Sequence, residues 1–267
     1  MSVSTLTPSS TIQLPGNIQI PQLGFGVYLS PTEITRTSVT YALHAGYRHI
    51  DTAQIYRNEK QVGEAVRSFL LEQKGKVQRQ DIWVTSKLRD EKGRLPKKLD
   101  NVPRVLRESI ETICGNNPEM EGYVDLFLIH SPYAGADGRR LQWRGLEDLK
   151  REGKTRAIGV SNYIPAHQVV LYIPDSYILG ASPLAQGKRK DDPVLKAIAE
   201  EVNKTWAQVV IRWSLQHGFI PLPKSDTPER IVANADVFDF SLTPHQMSRL
   251  DSLDEDDHVC WNPTLCV

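Results

Sequence analysis

Four residues whose side chains serve as acids, bases or charge stabilisers follow short apolar stretches of the chain. Asp51, Lys87 and His130 each close such a stretch, and Tyr56 lies one loop beyond Asp51. In an α/β barrel, catalytic groups lie where the strands end and the loops begin. Taken singly, Asp51 could cap a helix and Lys87 could be a surface lysine. Tyr56 could be a packing aromatic residue, and His130 a structural histidine. Together on one rim, they indicate an active site.

The elements that must position these groups begin with a hairpin. Ile12 and Leu14 alternate with polar residues, Pro15-Gly16-Asn17 makes the turn, and Ile18 and Ile20 resume the alternation. Strand and helix patterns then alternate along the chain. Strands are predicted at 47–51, 81–86, 124–129, 157–160, 177–181 and 219–222. Helices are predicted from 31 to 45, around 60–72, along 102–113, ending at 146–151, at 165–173, and starting after 192, 205 and 243.

Two helix starts carry a capping-box pattern, in which a Ser or Thr side chain bonds the backbone three residues on. Ser30-Pro31-Thr32-Glu33 has the pattern with Pro at the first helical position, and Thr243-Pro244-His245-Gln246 repeats it. Repeated strand–helix units of this length predict a parallel sheet, either closed as a barrel or open and doubly wound. The early glycines, Gly24-Phe25-Gly26, lack the third glycine of the dinucleotide fingerprint. That absence favours the barrel.

The composition is that of a soluble globular protein. The chain has 267 residues and equal numbers of basic and acidic residues, 32 of each, so nucleic acid and acidic membranes are not expected partners. We expect one domain over residues 1–267, with 1–10 as a disordered tail, and a monomer. There is no secretory signal or apolar run of membrane-span length, and the odd cysteine count suits a reducing compartment. A cytoplasmic location follows as an expectation.

Several segments, in order from about Pro21 to the end, resemble the aldo-keto reductases. They are Gly46-Tyr-Arg-His-Ile-Asp51-Thr-Ala-Gln-Ile-Tyr56-Arg-Asn-Glu59, Thr85-Ser-Lys87-Leu, Asp125-Leu-Phe-Leu-Ile-His130-Ser-Pro, Gly159-Val-Ser-Asn162, Ser182-Pro-Leu-Ala-Gln-Gly187 and Pro223-Lys224-Ser225 through Arg230 and Asn234. The resemblance implies a TIM-type (β/α)8 barrel with an N-terminal β-hairpin, and reduction of a small aldehyde or ketone with NADP(H).

The resemblance also implies a role for each rim residue. Tyr56 would donate the proton to the carbonyl oxygen, and the Lys87 cation would lower the pKa of that tyrosine. Asp51 would hold Lys87, and His130 would orient the substrate oxygen. No metal site is expected.

The cofactor residues are implied in the same way. Ser161 and Asn162 would hold the nicotinamide carboxamide, and Lys224, Ser225 and Arg230 the adenosine 2′-phosphate, which favours NADP(H) over NAD(H). The remaining cofactor positions are Gly26, Val27, Tyr28, Asp51, Ser182, Pro183, Leu184, Gln186, Gly187 and Asn234. Two positions depart from the family, with Ala233 where many relatives have a glutamate for the adenine and Tyr28 where many have a tryptophan.

The interval between Asn162 and Ser182 is too short for the family pattern. One helix and the start of one strand fit there, but a complete strand–helix unit takes about 30 residues or more. We therefore expect a barrel that lacks one such unit, with the glutamine that stacks on the nicotinamide lost. The chain could be a working enzyme with a compressed barrel, a product of an incomplete gene model or transcript, or an inactive truncated relative. The alternative function is a nucleotide-binding regulatory protein.

Overall fold

The computed structural model describes residues 6–89, 101–163, 179–181 and 184–255. The described strands are β1 (Thr11–Leu14), β2 (Ile18–Pro21), β3 (Phe25–Gly26), β4 (His49–Asp51), β5 (Trp83–Leu88), β6 (Val124–Ile129), β7 (Thr155–Val160), β8 (Leu179–Ala181) and β9 (Ile220–Leu222). The described α-helices are α1 (Thr32–His44), α2 (Glu59–Glu72), α3 (Val102–Cys114), α4 (Gly135–Arg151), α5 (Pro193–Glu201), α6 (Trp206–Gln216), α7 (Pro228–Ala235) and α8 (Pro244–Asp251).

Most of these elements coincide with the sequence patterns. The hairpin β1–β2 pairs Leu14 with Ile18 across the turn, and β6 spans the predicted residues. The capping box predicted at Thr243 forms at the start of α8. Thr205 makes a second one at the start of α6, which the sequence analysis did not predict. The helix at 165–173 lies outside the described residues, as does the start of the strand predicted at 177–181. Residues 6–10, assigned above to the tail, form a turn in which the Thr7 amide donates to Ser10 Oγ.

One capping prediction is wrong. Helix α1 begins at Thr32 after Pro31 and has no side-chain cap, so Ser30 does not close a capping box. Its hydroxyl donates instead to Asp226 Oδ1 at 2.5 Å. The cause lies in the tertiary structure, because the loop after β9 brings the Asp226 carboxylate next to Ser30. A hydroxyl forms a stronger hydrogen bond with a charged carboxylate than with a backbone amide.

The strands after the hairpin form a parallel sheet that curls toward closure. Strands β3, β4, β5, β6 and β7 are neighbours in that order, and β8 pairs with β9. The amides of Gly24 and Gly26 donate to the carbonyls of Pro221 and Pro223, both at 3.1 Å, which joins β9 to β3. The order is therefore β8–β9–β3–β4–β5–β6–β7. Helices connect β3 to β4, β4 to β5, β5 to β6, β6 to β7 and β8 to β9, as expected for a TIM-type α/β fold.

The one opening in this order lies between β7 and β8, within the described part of the chain. Strand β7 ends at Val160 and β8 begins at Leu179, which leaves only residues 161–178 between them. Strand β7 is also less buried than β5 and β6, every residue of which is buried. The described sheet thus has seven parallel strands, one fewer than a full barrel, and the break falls where the sequence predicted it.

Two apolar layers hold the sheet. Inward-facing side chains of successive strands form a small inner cluster that the hairpin covers from below; it comprises Ile20, Trp83, Leu126, Leu128, Ala157 and Ile220. The outer face packs against the helices in a much larger cluster that includes Phe25, Val84, Phe127 and Ile129. This alternation places odd-numbered residues of β5 inside the barrel. Lys87 therefore follows Trp83 and Thr85 on the inner face, at the carboxyl end.

The opposite end of the sheet carries its own buried charges. Asp125 Oδ2 accepts from Arg79 Nη2 and from the Val84 amide, both at 2.9 Å, and its Oδ1 accepts from Arg156 at 2.9 Å. The side chains of Arg79 and Asp125 are almost completely buried. This network ties β5, β6 and β7 together at their amino ends, away from the rim that bears Lys87 and His130.

Candidate active site

The structure brings the four rim residues together at the carboxyl ends of three adjacent strands. Asp51 is the last residue of β4, Lys87 lies near the end of β5, and His130 directly follows β6. Tyr56 ends the short 3-10 helix after β4. Asp51, Lys87 and His130 are all buried, so their charges and hydrogen bonds act in a medium of low polarity.

Lys87 and Asp51 form a closed ion pair. The Lys87 Nζ donates to both carboxylate oxygens of Asp51, at 2.6 and 2.7 Å, and to the carbonyl of Thr52 at 3.0 Å. Lys87 and Tyr56 also share a side-chain hydrogen bond, so the ammonium group has hydrogen-bond partners on Asp51, Thr52 and Tyr56. The neighbouring backbone supports the carboxylate's position, because the Asp51 carbonyl accepts from the Val27 amide at 3.1 Å. The pair therefore fixes a cation at the rim with little freedom to move.

Tyr56 lies against this cation. The Lys87 Nζ is 5.1 Å from the centre of the Tyr56 ring. The His130 ring meets the same tyrosine edge to face, with ring centres 5.5 Å apart, and Tyr28 covers it at 5.0 Å. Three side chains thus surround the Tyr56 ring, and Tyr28, with 43% of its surface exposed, is the solvent-facing member.

Buried polar residues hold the loop that carries Tyr56. Asn58 is fully buried; its Oδ1 accepts from Thr52 Oγ1 at 2.7 Å, and its Nδ2 donates to the Val27 carbonyl at 3.0 Å. Gln54 donates to the Val105 carbonyl on α3 at 3.0 Å and accepts from the Arg89 amide at 2.9 Å. The loop is thereby anchored to β3, β5 and α3. Such supporting bonds reduce the freedom of a catalytic side chain.

The pKa of Tyr56 departs from the sequence expectation. Burial raises the pKa of its hydroxyl above the ordinary value, and the Lys87 cation opposes that rise without cancelling it. The Lys87 cation does lower the tyrosine pKa, as expected, but burial and, to a smaller extent, the Asp51 carboxylate outweigh it, so the net shift is upward. Tyr56 is therefore a protonated phenol over the whole neutral range.

Lys87 keeps its charge in spite of its burial. Burial alone would lower its pKa, but Asp51 and Tyr56 outweigh that effect and hold the pKa above its ordinary value. The lysine is consequently an ammonium group at neutral pH.

His130 is neutral in this setting. Burial, aided by the nearby Lys87 charge, lowers the pKa of His130 to about 3. Its buried Nδ1 has no hydrogen-bond partner among the described residues. A neutral imidazole carries one N–H donor, so at neutral pH His130 can donate a single hydrogen bond without adding positive charge to the rim.

The next strand supplies the polar pair predicted to hold a carboxamide. The Ser161 amide donates to the Ile129 carbonyl at 2.8 Å, directly beside His130. Asn162 adopts a left-handed backbone (φ 59°), and its Nδ2 donates to the His130 carbonyl at 2.9 Å and to Ser161 Oγ at 3.2 Å. Both side chains therefore lie at the same rim as the four proposed catalytic residues.

The loop after β3 contributes backbone rather than side-chain chemistry. A Cβ on Gly26 would come within 3.1 Å of the Leu222 carbonyl oxygen, so glycine allows β3 and β9 to approach closely. Val27 is fully buried, and Tyr28 reaches the rim through its contact with Tyr56. Of these predicted cofactor positions, Tyr28 is the one whose side chain faces the site.

The residues predicted to bind a phosphate lie around the amino end of α7. Ser225 is buried and its Oγ accepts from the Thr227 amide at 3.1 Å, whereas Arg230 is exposed on the first turn of the helix. Lys224 forms an ion pair with Asp226, which the sequence analysis did not identify. Asn234 is buried on the inner face of α7. Two cations, a hydroxyl and a helix amino terminus make a donor set suited to a phosphate.

The third group of predicted cofactor residues is described in part. Ser182 and Pro183 lie outside the described residues. Leu184 packs against the core, and the Gly187 amide donates to its carbonyl at 2.7 Å. Gln186 has a left-handed backbone (φ 52°), as does Gly187 (φ 76°). This tight turn joins β8 to α5. A cavity of about 500 Å³ begins at Leu184 and runs along α6 and α8, and none of the four rim residues lines it.

Sequence reasoning missed several residues that support the site. Thr52, Gln54 and Asn58 hold the Tyr56 loop, and Glu59 accepts hydrogen bonds from Ser86 at 2.6 Å and from Ser109. All but Ser109 lie inside the motifs already noticed around Asp51 and Lys87. Their position next to the predicted groups was the available signal, but their partners are distant in sequence and no spacing reveals them.

Neither a metal site nor a membrane span was found in the described part of the chain. No cluster of three or more metal-ligating His, Cys, Asp or Glu side chains is present there. None of the described helices has the length and apolar character needed to cross a membrane.

The fold and the rim define a TIM-type α/β enzyme with acid–base groups at the carboxyl ends of its strands. The sequence pattern of the aldo/keto reductase family matches residues 22–172 and 175–255, and the chain belongs to this family. It is therefore an oxidoreductase.

Relatives cover nearly the whole chain. An uncharacterised oxidoreductase of Schizosaccharomyces pombe is 40% identical, over 97% of this chain and 98% of the relative. The glyoxal reductase of Bacillus subtilis is 35% identical over 95% and 96%. The first alignment spans 288 positions although this chain has 267 residues, so the relative has at least 21 residues without a counterpart here. That difference agrees with a missing internal unit.

Solved structures agree with the fold. An aldo-keto reductase from a deep-sea metagenome superimposes with a TM-score of 0.82 at 31% identity, over 94% of this chain and 97% of that one. An aldo-keto reductase of Bombyx mori, solved in complex with NADP, gives 0.78 at 29% identity, over 96% of each chain.

Proposed function

We propose that the protein reduces an aldehyde or ketone to the alcohol with NADPH, and that Tyr56 donates the proton. The observation that carries this proposal is the buried Lys87–Asp51 pair against the Tyr56 ring, with His130 beside it. A protonated phenol, a fixed cation and a neutral hydrogen-bond donor at one rim are what a carbonyl oxygen needs as negative charge develops on it.

The donor groups fit a nicotinamide cofactor with a 2′-phosphate. Lys224, Ser225 and Arg230 would hold the phosphate, and Ser161 and Asn162 the carboxamide. The NADP complex of the Bombyx mori relative supports this assignment. When bound, NADPH supplies the hydride that adds to the carbonyl carbon.

The protein's own residues account for the fate of the proton. Tyr56 transfers its hydroxyl proton to the carbonyl oxygen, and the phenolate that remains is stabilised by the Lys87 ammonium. Asp51 keeps that ammonium in place through its two hydrogen bonds. His130 donates its one N–H to the same oxygen and orients it, and its neutrality leaves Lys87 as the cation that stabilises the phenolate.

The setting of this activity is part of the proposal. A small carbonyl compound as substrate agrees with the glyoxal reductase relative, and the balanced charge of the chain gives no reason to expect a polyanionic partner. We propose a single-domain, monomeric enzyme of the cytoplasm.

The test is a Tyr56→Phe variant of the full chain, with Tyr41→Phe on the exposed face of α1 as its control. NADPH oxidation is followed at 340 nm with a panel of reactive aldehydes, including glyoxal. We expect the wild type and the control to turn over, and Tyr56→Phe to lose activity by about 10²–10⁴-fold while it binds NADPH as before.

Two outcomes would contradict the proposal. Full activity in Tyr56→Phe would exclude this tyrosine as the proton donor. A folded wild type that binds NADPH but reduces no aldehyde or ketone would instead favour the nucleotide-binding regulatory protein.

A further inference from the structure

Lys224, Ser225 and Arg230, the proposed phosphate site around the start of α7, are called the clamp below. The clamp has an acidic residue within it. Asp226 lies two positions after Lys224, and the Lys224 Nζ donates to its Oδ2. The other carboxylate oxygen accepts from Ser30 Oγ at 2.5 Å and from Ser38 Oγ at 3.4 Å. The carboxylate is thus held by two hydroxyls on one side, and the lysine lies on the other.

The burial of these groups makes the carboxylate a fixed part of the protein. Ser30, just before α1, and Ser38, in the middle of α1, are buried, and Asp226 is 22% exposed. Ser30 is the residue that fails to cap α1, because its hydroxyl is engaged here. The Lys224 side chain is more exposed, at 31%. The carboxylate is therefore less free to move away than the lysine.

Arg230 differs from Lys224 in this respect. It is exposed on the first turn of α7, and no carboxylate lies within ion-pair distance of it in the described part of the chain. Of the two cations in the clamp, one is already neutralised by a neighbouring carboxylate and the other is not.

We propose that Asp226 competes with the adenosine 2′-phosphate for Lys224 and thereby weakens the enzyme's preference for NADPH over NADH. This inference rests on the proposed function, in which Lys224, Ser225 and Arg230 hold that phosphate. Asp226 would be a specificity-determining residue that acts through Lys224.

The competition between Asp226 and the phosphate is electrostatic. A phosphate that approaches Lys224 must share the ammonium protons with the Asp226 carboxylate, and it brings a like charge next to that carboxylate. NADH lacks the phosphate and experiences neither effect at this position. Removal of the negative charge from residue 226 should therefore strengthen the binding of NADPH and leave that of NADH nearly unchanged.

The test compares Asp226→Asn with the wild type by calorimetric titration of NADPH and NADH. Asparagine keeps a carbonyl oxygen that can accept from Ser30, so the anchor of the loop is preserved. We expect the Kd for NADPH to fall about tenfold and the Kd for NADH to change less than twofold. The NADPH affinity of the variant should also fall more steeply with salt, because more of the Lys224 charge faces the ligand.

The control is Glu229→Gln, which removes an exposed acid from the first turn of α7, a residue with no ion pair to Lys224 in the described structure. It should shift the NADPH affinity much less than Asp226→Asn does. If Asp226→Asn unfolds, as a thermal melt would show, Asp226→Ser replaces it with the same expected direction.

The outcomes separate this inference from the proposed function. Unchanged or weaker NADPH binding in a folded variant would overturn the role of Asp226, while NADPH binding by the wild type would leave the proposed function intact. Saturable binding of neither nucleotide to the wild type would overturn the proposed function, and this inference with it.

Discussion

Two of the lysine–aspartate pairs in the described part of the chain, Lys87–Asp51 and Lys224–Asp226, have similar contacts and different surroundings. The side chains of the first pair are 5% and 7% exposed, and every ammonium proton has an acceptor. Those of the second are 31% and 22% exposed. Because a buried charge that loses its partner has no water to replace it, the first pair is inseparable from the fold.

The difference bears on what each pair can do. A buried pair supplies a fixed cation, which suits the stabilisation of a phenolate at the rim. A partly exposed pair can exchange its carboxylate for another anion, which suits the selection of a ligand. The following substitutions test this division, beginning with the largest expected effect.

Substitution of Lys87 by methionine should affect both activity and stability. We expect turnover to fall by about 10²–10⁴-fold and the free energy of unfolding to fall by about 3–5 kcal/mol, because the Asp51 carboxylate would stay buried without a partner. Initial rates and urea unfolding measure the two effects. The double variant Lys87→Met, Asp51→Asn should recover much of the stability and none of the activity. If Lys87→Met alone were as stable as the wild type, breaking the buried pair would not change the free energy of unfolding.

Asp125→Asn breaks a buried charge network at the other end of the same strands. We expect a loss of about 3 kcal/mol in the free energy of unfolding, because Arg79 would lose its buried counter-charge. Turnover should stay within about twofold of the wild type, since the network faces away from the rim. The turnover of the variant and of the wild type should be compared at a temperature at which the variant is fully folded. A large loss of turnover there would mean that the two ends of the sheet are coupled.

The sequence predicted the rim better than it predicted the clamp. Asp51, Lys87 and His130 each end a buried strand, and parallel strands place their carboxyl ends side by side, so local pattern and fold class together bring these residues into one site. The shortened interval before Ser182 likewise predicted the opening between β7 and β8, because a strand–helix unit has a minimum length.

The partners of Asp226 could not be predicted in this way. Ser30 and Asp226 are separated by most of the chain, and they meet because β9 pairs with β3, a contact that neither local sequence encodes. The same applies to the raised pKa of Tyr56. It depends on burial and on how fully Asp51 neutralises Lys87, and these are properties of the packed site.

Lys87 also lies close enough to two buried histidines to lower their pKa values. These two histidines should make the free energy of unfolding depend on pH in the acid range. The pKa values of His49 and His130 are both lowered to about 3, by burial first and by Lys87 second, against about 6.5 in an unfolded chain. Both are neutral when folded, so the stability they confer is present above about pH 6.5 and is lost as the pH falls toward 3. Each contributes a slope of up to about 1.4 kcal/mol per pH unit.

His130→Gln should remove one such contribution. Urea unfolding between pH 4 and 7 should show a shallower dependence on pH than in the wild type, by about 1 kcal/mol per unit. His245→Gln, at an exposed position on α8, serves as the control for the loss of a histidine side chain. An unaltered slope in His130→Gln would mean that this histidine takes up a proton in the folded state as readily as in the unfolded one.

Lys224→Met should have the smallest effect on stability of these changes. Partly exposed ion pairs contribute about 0.2–1 kcal/mol, and Asp226 keeps its hydrogen bonds to Ser30 and Ser38 when the lysine is removed. We expect a change in the free energy of unfolding below about 1 kcal/mol, with turnover at saturating NADPH close to that of the wild type. A loss of stability as large as that in Lys87→Met would contradict the distinction between the two pairs, because the Lys224 pair would then be as essential to the fold as the buried one.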